Sequence, residues 1–190
     1  MDFGGKLLNA FFSSVTTRTA GYNSIPIDGM TDFSQLGTIL LMFVGAAPAS
    51  TGGGIKVTTL LVLIMTVVSY IRNKNDVEIF KHKIDKLAVY RTMVITALSM
   101  AAVGVCFTVL YCTTPDTVGA VDCLFEAVSA LATTGLSAGV TAATSTAGRV
   151  VLIITMFIGR VGPVSLIMSL VMNSAKRKNI VVPDGQIIIG

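Results

Sequence analysis

The sequence predicts an all-α integral membrane protein in which short re-entrant helices and irregular loops alternate with longer membrane helices. Three observations predict it. Only 13% of the 190 residues are charged and 53% are hydrophobic, with a mean hydropathy of +0.79, whereas a soluble domain carries about 25% charged residues. Residues 92–111, TMVITALSMAAVGVCFTVLY, form a charge-free run that as a helix crosses a hydrocarbon core of about 30 Å. Two segments of a dozen residues, 6–17 and 121–132, read as helices too short to cross, since twelve residues rise only about 18 Å. Each is followed by a polar stretch containing glycine.

Taken in order, residues 6–17 (KLLNAFFSSVTT) form the first short helix, 18–24 (RTAGYNS) an irregular segment, and 25–34 a polar turn region with Pro26, Asp28, Gly29 and Asp32. The apolar stretch 35–71 is too long for one straight span of about 20 residues. Its middle, GAAPASTGGGIK at 45–56, holds one proline and four glycines and breaks the helix. Two half-helices result, 35–46 and 56–71, joined by a loop at membrane depth. Residues 72–87 form a charged loop, 88–111 a full span, 112–120 a turn, 121–132 (VDCLFEAVSALA) the second short helix, 133–140 (TTGLSAGV) a second irregular segment, and 148–173 the last long helix. Irregular backbone at membrane depth is tolerated only where it is buried in protein or lines a watery path, so the layout implies a path.

Charge sets the orientation. Of fourteen Lys and Arg residues, six lie between Arg72 and Arg91 and three are Lys176, Arg177 and Lys178, while 22–37 and 112–147 contain none. Basic residues on alternate loops follow the positive-inside pattern, which places loop 72–87 and the tail 174–190 in the cytoplasm. The +4 net charge is not a nucleic-acid signal, because no basic face with aromatics on a soluble fold accompanies it. Cys106, Cys112 and Cys123 fit no metal spacing, and His82 stands alone in the charged loop. No His/carboxylate cluster or nucleophile elbow points to an enzyme.

Sliding the chain on itself by 114 residues gives a gapless match. Thr19 meets Thr133, Gly21 meets Gly135, and ILLMFVG at 39–45 meets IITMFIG at 153–159. The unit is short helix, Thr-x-Gly loop, long helix. A full span precedes it in the second copy only. Taken alone, Thr-x-Gly is a helix stop and turn. Two copies, each after a half-helix and on the outside, point to a cation filter. Glycine lets peptide planes flip so that successive carbonyls face one way, and those oxygens replace an ion's hydration shell. The candidate carbonyls are those of Thr19, Ala20, Gly21 and Tyr22, with those of Thr133, Thr134, Gly135 and Leu136 opposite. The C-terminal dipole ends of the short helices favour the same charge. GAAPASTGGGIK looks like a phosphate-binding loop, but Ile55 separates Gly54 from Lys56 and no βαβ context exists. It reads either as a helix kink or as a mobile plug beneath the filter.

Four segments carry a resemblance over nearly the whole chain: TTRTAGYNS at 16–24, GAAPASTGGGIKVTT at 45–59, LFEAVSALATTGLSAG at 124–139 and GRVGPVSL at 159–166. In these the chain resembles the Trk/Ktr/HKT superfamily of potassium transporters. The resemblance implies potassium-channel-like repeats. Residues 1–71 match a third repeat without its first span, 72–87 a cytoplasmic loop, 88–173 a complete fourth repeat, and 174–190 a cytoplasmic tail. It implies multi-pass placement in the plasma or inner membrane and potassium as the main ion, with sodium coupling left open and no covalent cofactor. It also implies one key filter glycine per repeat, Gly21 and Gly135. The segment Gly45, Ala46, Ala47, Pro48, Ala49, Ser50, Thr51, Gly52, Gly53, Gly54 becomes an intramembrane gating loop. The implied partners are the remaining N-terminal repeats of the same subunit, a second copy, a cytosolic nucleotide-binding regulatory subunit and lipid, not nucleic acid.

Two charged residues complete the expectations. Arg160 lies near mid-membrane, where arginine faces the protein interior or a watery cavity. It is expected in the pore below the filter, hydrogen-bonded to loop carbonyls of 47–53, as an electrostatic barrier and latch. Glu126 is expected to brace the filter from behind through backbone N–H groups or to accept a cation from elsewhere in the full protein, with a transported-ion ligand as the weaker role. Two competing functions are a solute transporter with discontinuous helices, which predicts competition by an organic solute, and a non-transporting scaffold, which predicts no effect of Gly135→Ser.

Overall fold

The computed structural model describes residues 2–48, 50, 52–73, 76–79, 82–115 and 117–162. The expectations for Ala49, Thr51, residues 163–173 and the tail 174–190 lie outside these residues. Seven α-helices are present among the described residues: α1 (Phe3–Thr16), α2 (Asp32–Phe43), α3 (Val57–Ile71), α4 (Lys86–Thr113), α5 (Ala120–Ala132), the single turn α6 (Val140–Ala143) and α7 (Thr146–Val161). A 3-10 turn at Ile27–Gly29 precedes α2.

The 28-residue α4 is about 42 Å long, and among the described residues it is the one helix long and apolar enough to cross a membrane. Ser99, Val103, Cys106 and Leu110 form its buried stripe, yet Met93, Val94, Met100, Val105 and Tyr111 on its other faces are exposed. A helix that is apolar all round belongs in a core or in lipid. α3 and α4 pack together, with Tyr70 and Tyr90 exposed at their connected ends, where aromatics suit a membrane interface.

α5 is the centre of the bundle and packs against α2, α4 and α7. Cys123 and every residue from Phe125 to Ala132 are buried. Mostly small side chains let three neighbours approach it, as is usual between membrane helices. α7 does the same from its side, burying Gly148, Leu152, Thr155 and Gly159 at spacings of four, three and four. α1, the counterpart of α5 in the repeat, is bare: Phe3, Leu7, Leu8, Phe11 and Val15 are all exposed. Among the described residues no counterpart of α4 stands beside it.

Several boundaries differ from the sequence expectation. α2 starts at Asp32, not 35, because Thr31 Oγ1 caps it by accepting from the Ser34 N–H at 3.4 Å. α7 begins at Thr146, two residues before the expected 148, and among the described residues it runs to Val161, with Gly162 at φ 88° after it. The irregular segment 133–140 ends one residue early in α6. The loop 72–87 carries an unforeseen two-residue hairpin, β1 (Glu78–Ile79) with β2 (His82–Lys83). An ion pair from Lys83 Nζ to Asp76 at 2.7 Å and a Ser69 Oγ hydrogen bond to the Asp76 carbonyl at 2.7 Å hold it to the end of α3.

Candidate functional site: two strained loops over a glycine-rich loop

Both short helices end in the same unusual way. Thr19 has φ 65° and Gly21 φ 73°, and 114 residues on Thr133 has φ 51° and Gly135 φ 89°, with Ala20 and Thr134 between them on the negative side. Positive φ is routine for glycine but a strained outlier for β-branched threonine, and such strain gathers at functional sites. An extended strand points successive carbonyls to opposite sides, whereas alternating the sign of φ turns them toward one side.

The two loops touch. A Cβ added to Gly21 would lie 2.4 Å from the Thr134 carbonyl oxygen and 3.5 Å from Gly135 Cα. They are therefore neighbours, not the facing pair that the sequence suggested, and backbone packs on backbone because both positions lack side chains. The expected set of eight carbonyls also changes. Thr16 Oγ1 donates to the Tyr22 carbonyl at 2.7 Å and accepts from the Tyr22 N–H at 2.9 Å. Ser129 Oγ donates to the Leu136 carbonyl at 2.6 Å. In each copy a hydroxyl in the last turn of the short helix draws back the carbonyl that follows the glycine. The carbonyls of Thr19, Ala20 and Gly21, and of Thr133, Thr134 and Gly135, carry no such tie from those two hydroxyls.

Beneath them sits the loop between α2 and α3. Its base is closed by backbone bonds, Gly45 N–H to the Ile55 carbonyl at 2.8 Å and Ile55 N–H to the Phe43 carbonyl at 3.2 Å. Its tip meets one threonine from each copy. A Cβ on Gly52 would fall 2.9 Å from Thr19 Oγ1, and one on Gly53 2.7 Å from Thr133 Oγ1. The Gly53 N–H donates to Thr133 Oγ1 at 3.1 Å. Side-chain-free glycine is what lets the loop reach this depth. Ala46, Ala47 and Pro48 form the descending limb, with the Ala46 Cβ against Gly52.

Two cations that sequence reasoning passed over grip this loop. Arg18 donates to the Gly45 carbonyl at 3.0 Å. Lys56 Nζ donates to the Gly52 carbonyl at 2.5 Å and to the Ser50 carbonyl at 3.2 Å. The signal that singled out Arg160, a charge inside an apolar membrane stretch, was equally present at Lys56. Arg160 lines a cavity of about 330 Å³ together with Ser50, Gly52, Gly54 and Lys56, so the structure brings it to the loop's underside.

Glu126 is buried and its carboxylate accepts from Ser137 Oγ at 3.0 Å, from the Ala138 N–H at 3.1 Å and from Thr141 Oγ1. It ties the outgoing strand of the second loop to the middle of α5. Arg149 donates to the carbonyls of Thr141 at 3.2 Å and Ala142 at 3.1 Å, a cation at the C-terminal end of α6, where the dipole favours it. Glu126, Arg149, Thr133 and Gly135 share the wall of a cavity of about 760 Å³. Among the described residues no cluster of His, Cys, Asp or Glu forms a metal site.

A buried short helix, strained Thr-x-Gly loops in two copies and a small-residue helix interface fit the class of helical membrane proteins. The family model described as "TrkH: Cation transport protein" matches residues 1–180, and the chain belongs to this family of membrane transport proteins, which are not enzymes. It is 36% identical over 97% of its length to the Ktr system potassium uptake protein B of Bacillus subtilis, covering 41% of that protein. It is 40% identical over 86% of its length to the Ktr system potassium uptake protein B of Vibrio alginolyticus, covering 35%. It is also 36% identical over 99% of its length to the potassium/sodium uptake protein NtpJ of Enterococcus hirae, covering 42%. The chain thus spans about two fifths of the length of these relatives.

Proposed function

We propose that the chain supplies two neighbouring quarters of a backbone-carbonyl selectivity filter for potassium uptake, closed from below by the loop Gly45–Gly54. The observation that carries this reading is the pair of left-handed threonines, Thr19 and Thr133, each two residues before a left-handed glycine. Strain of this kind recurs at the offset of the internal repeat, and in this reading it aligns carbonyls as a dehydrated cation requires. The names of the relatives, potassium uptake and potassium/sodium uptake, fit a monovalent cation. In this reading Glu126 braces the second filter loop and Arg160 stands beneath the plug as a barrier. A ring of carbonyls needs four quarters, so the activity belongs to an assembly with further repeats. A second copy and a cytosolic nucleotide-binding subunit, the latter on the basic face 72–91, complete the proposed assembly. Loop 72–87 and the tail 174–190 face the cytoplasm.

The test is flux in liposomes containing the intact transporter. Potassium should pass in preference to sodium, and an organic solute should not compete. Arg160→Ala should raise open-state flux. A unit charge about 8 Å from a passing cation, at an effective dielectric constant of about 40, adds about 1 kcal/mol, or roughly fivefold in rate. Lower uptake by a folded Arg160→Ala protein counts against the barrier, and competition by an organic solute counts against the filter.

A further inference from the structure

We propose that Thr16 and Ser129 are positioning residues for ion selectivity, each clamping one Thr-x-Gly loop through both its backbone carbonyl and its hydroxyl. This rests on the reading of the two loops as filter quarters and names the groups that hold them to shape.

One residue of each short helix grips its loop twice. In the first copy the Thr16 carbonyl accepts from the Ala20 N–H at 3.2 Å and the Gly21 N–H at 3.3 Å. The Thr16 hydroxyl then closes on Tyr22, accepting from its N–H at 2.9 Å and donating to its carbonyl at 2.7 Å. In the second copy the Ser129 carbonyl accepts from the Thr134 N–H at 3.0 Å, and the Ser129 hydroxyl donates to the Leu136 carbonyl at 2.6 Å. Both residues are buried, where little water competes for the hydroxyl.

The consequence follows from peptide geometry. In a planar trans peptide the N–H of one residue and the carbonyl of the residue before it point to opposite sides. Drawing the Ala20, Gly21 and Tyr22 N–H groups back to Thr16 therefore turns the Thr19, Ala20 and Gly21 carbonyls away from it. Drawing the Thr134 N–H back to Ser129 does the same for the Thr133 carbonyl. Within these grips Thr19, Gly21, Thr133 and Gly135 hold positive φ, and strained backbone persists only where its surroundings over-determine it. The clamps supply that determination.

The hydroxyl ties are not ordinary helix ends. A local side-chain bond to backbone reaches two to four residues, whereas these reach six and seven. Nor does the repeat supply both. At its offset of 114 residues Tyr22 stands opposite Leu136, yet Thr16 stands opposite Ala130 and Ser129 opposite Val15. The two copies hold equivalent carbonyls from helix positions that are not equivalent, one with threonine and one with serine. The copies also differ in reach. The Thr16 hydroxyl fixes the peptide plane that carries the Gly21 carbonyl, while the Ser129 hydroxyl holds only the carbonyl beyond Gly135. Discrimination between ions depends on the number and field of the carbonyls around them, so the first copy should be the more sensitive.

The experiment is the ratio of rubidium to sodium flux in liposomes containing the intact transporter, with the amount of folded protein measured beside it. Thr16→Val keeps the side-chain shape and removes the hydroxyl, and should lower the ratio about fivefold, the scale of one net hydrogen bond. Ser129→Ala should lower it about twofold, with Ser129→Cys, a weak donor, in its place if alanine is not recovered folded. Thr16→Ser, which returns the hydroxyl, should restore the ratio. A residue that served folding alone would lower both fluxes together and leave the ratio at its wild-type value. That result in folded Thr16→Val overturns the proposal for the first loop, and in folded Ser129→Ala or Ser129→Cys for the second. Failure of the filter reading is separate, since it shows as an unchanged ratio in Gly21→Ser and Gly135→Ser.

Discussion

Serine in place of Gly21 or Gly135 is expected to collapse the preference for potassium over sodium in the intact transporter. Both glycines hold left-handed backbone, φ 73° and 89°, which costs an L-residue roughly 1–2 kcal/mol. Relaxing that strain rotates a peptide plane, and the carbonyl leaves the row. A loss of about 1.4 kcal/mol in ion preference is a tenfold loss of selectivity. Gly21 carries a second penalty, since its Cβ would sit 2.4 Å from the Thr134 carbonyl oxygen and would push the two loops apart. Gly21→Ser should therefore also lower thermal stability. Relative uptake of rubidium and sodium measures the outcome, and selectivity left intact in both variants would sink the filter assignment.

Gly159→Ala is expected to give the largest loss of stability of any single methyl addition at the described glycines. The new Cβ would lie 1.9 Å from the Leu131 carbonyl oxygen, 2.7 Å from its carbonyl carbon and 3.0 Å from its Cα. All three are backbone atoms of α5, so no side chain can turn aside and α7 must move as a body. Overpacking of this kind costs about 1–3 kcal/mol, which for a chain of this size is roughly 2–4 °C in Tm per kcal/mol. Leu131 precedes Thr133 by two residues, so the displacement reaches the Thr133–Gly135 loop and transport should fall with stability. Gly104→Ala is the control. Gly104 lies in α4 with nothing within 4 Å of an added Cβ, and alanine there should be neutral or slightly stabilising. Thermal unfolding in detergent separates the two, and equal midpoints for Gly159→Ala and wild type would contradict the tight α5–α7 contact.

Much of this architecture was legible in the residues because local chemistry decides it. Pro48 and the glycines at 52–54 break the helix wherever the rest of the protein lies, and α5 appears over Ala120–Ala132, within one residue of the expected 121–132. The offset of 114 residues pairs Thr19 with Thr133 and Gly21 with Gly135, and all four hold positive φ. What stayed hidden depends on distant partners. Whether the Tyr22 and Leu136 carbonyls face forward is decided by hydroxyls of Thr16 and Ser129 six and seven residues away. Arg18 and Gly45 are 27 residues apart, and Gly53 and Thr133 are 80 apart. Gly159 read as one more small residue of a membrane helix, since the closeness of α5 is a property of two helices together.

The burial of α5 has a consequence for how the protein is made. A 13-residue helix with a buried glutamate cannot settle alone in lipid, where its unpaired backbone ends and Glu126 would have no partners. Its walls are α2 and α4, which the ribosome delivers first, and α7, which it delivers last. The translation machinery must therefore leave α5 unlodged until Thr146–Val161 has emerged. A ribosome stalled before that point should leave α5 open to protease or thiol reagents, and release of α7 should close it.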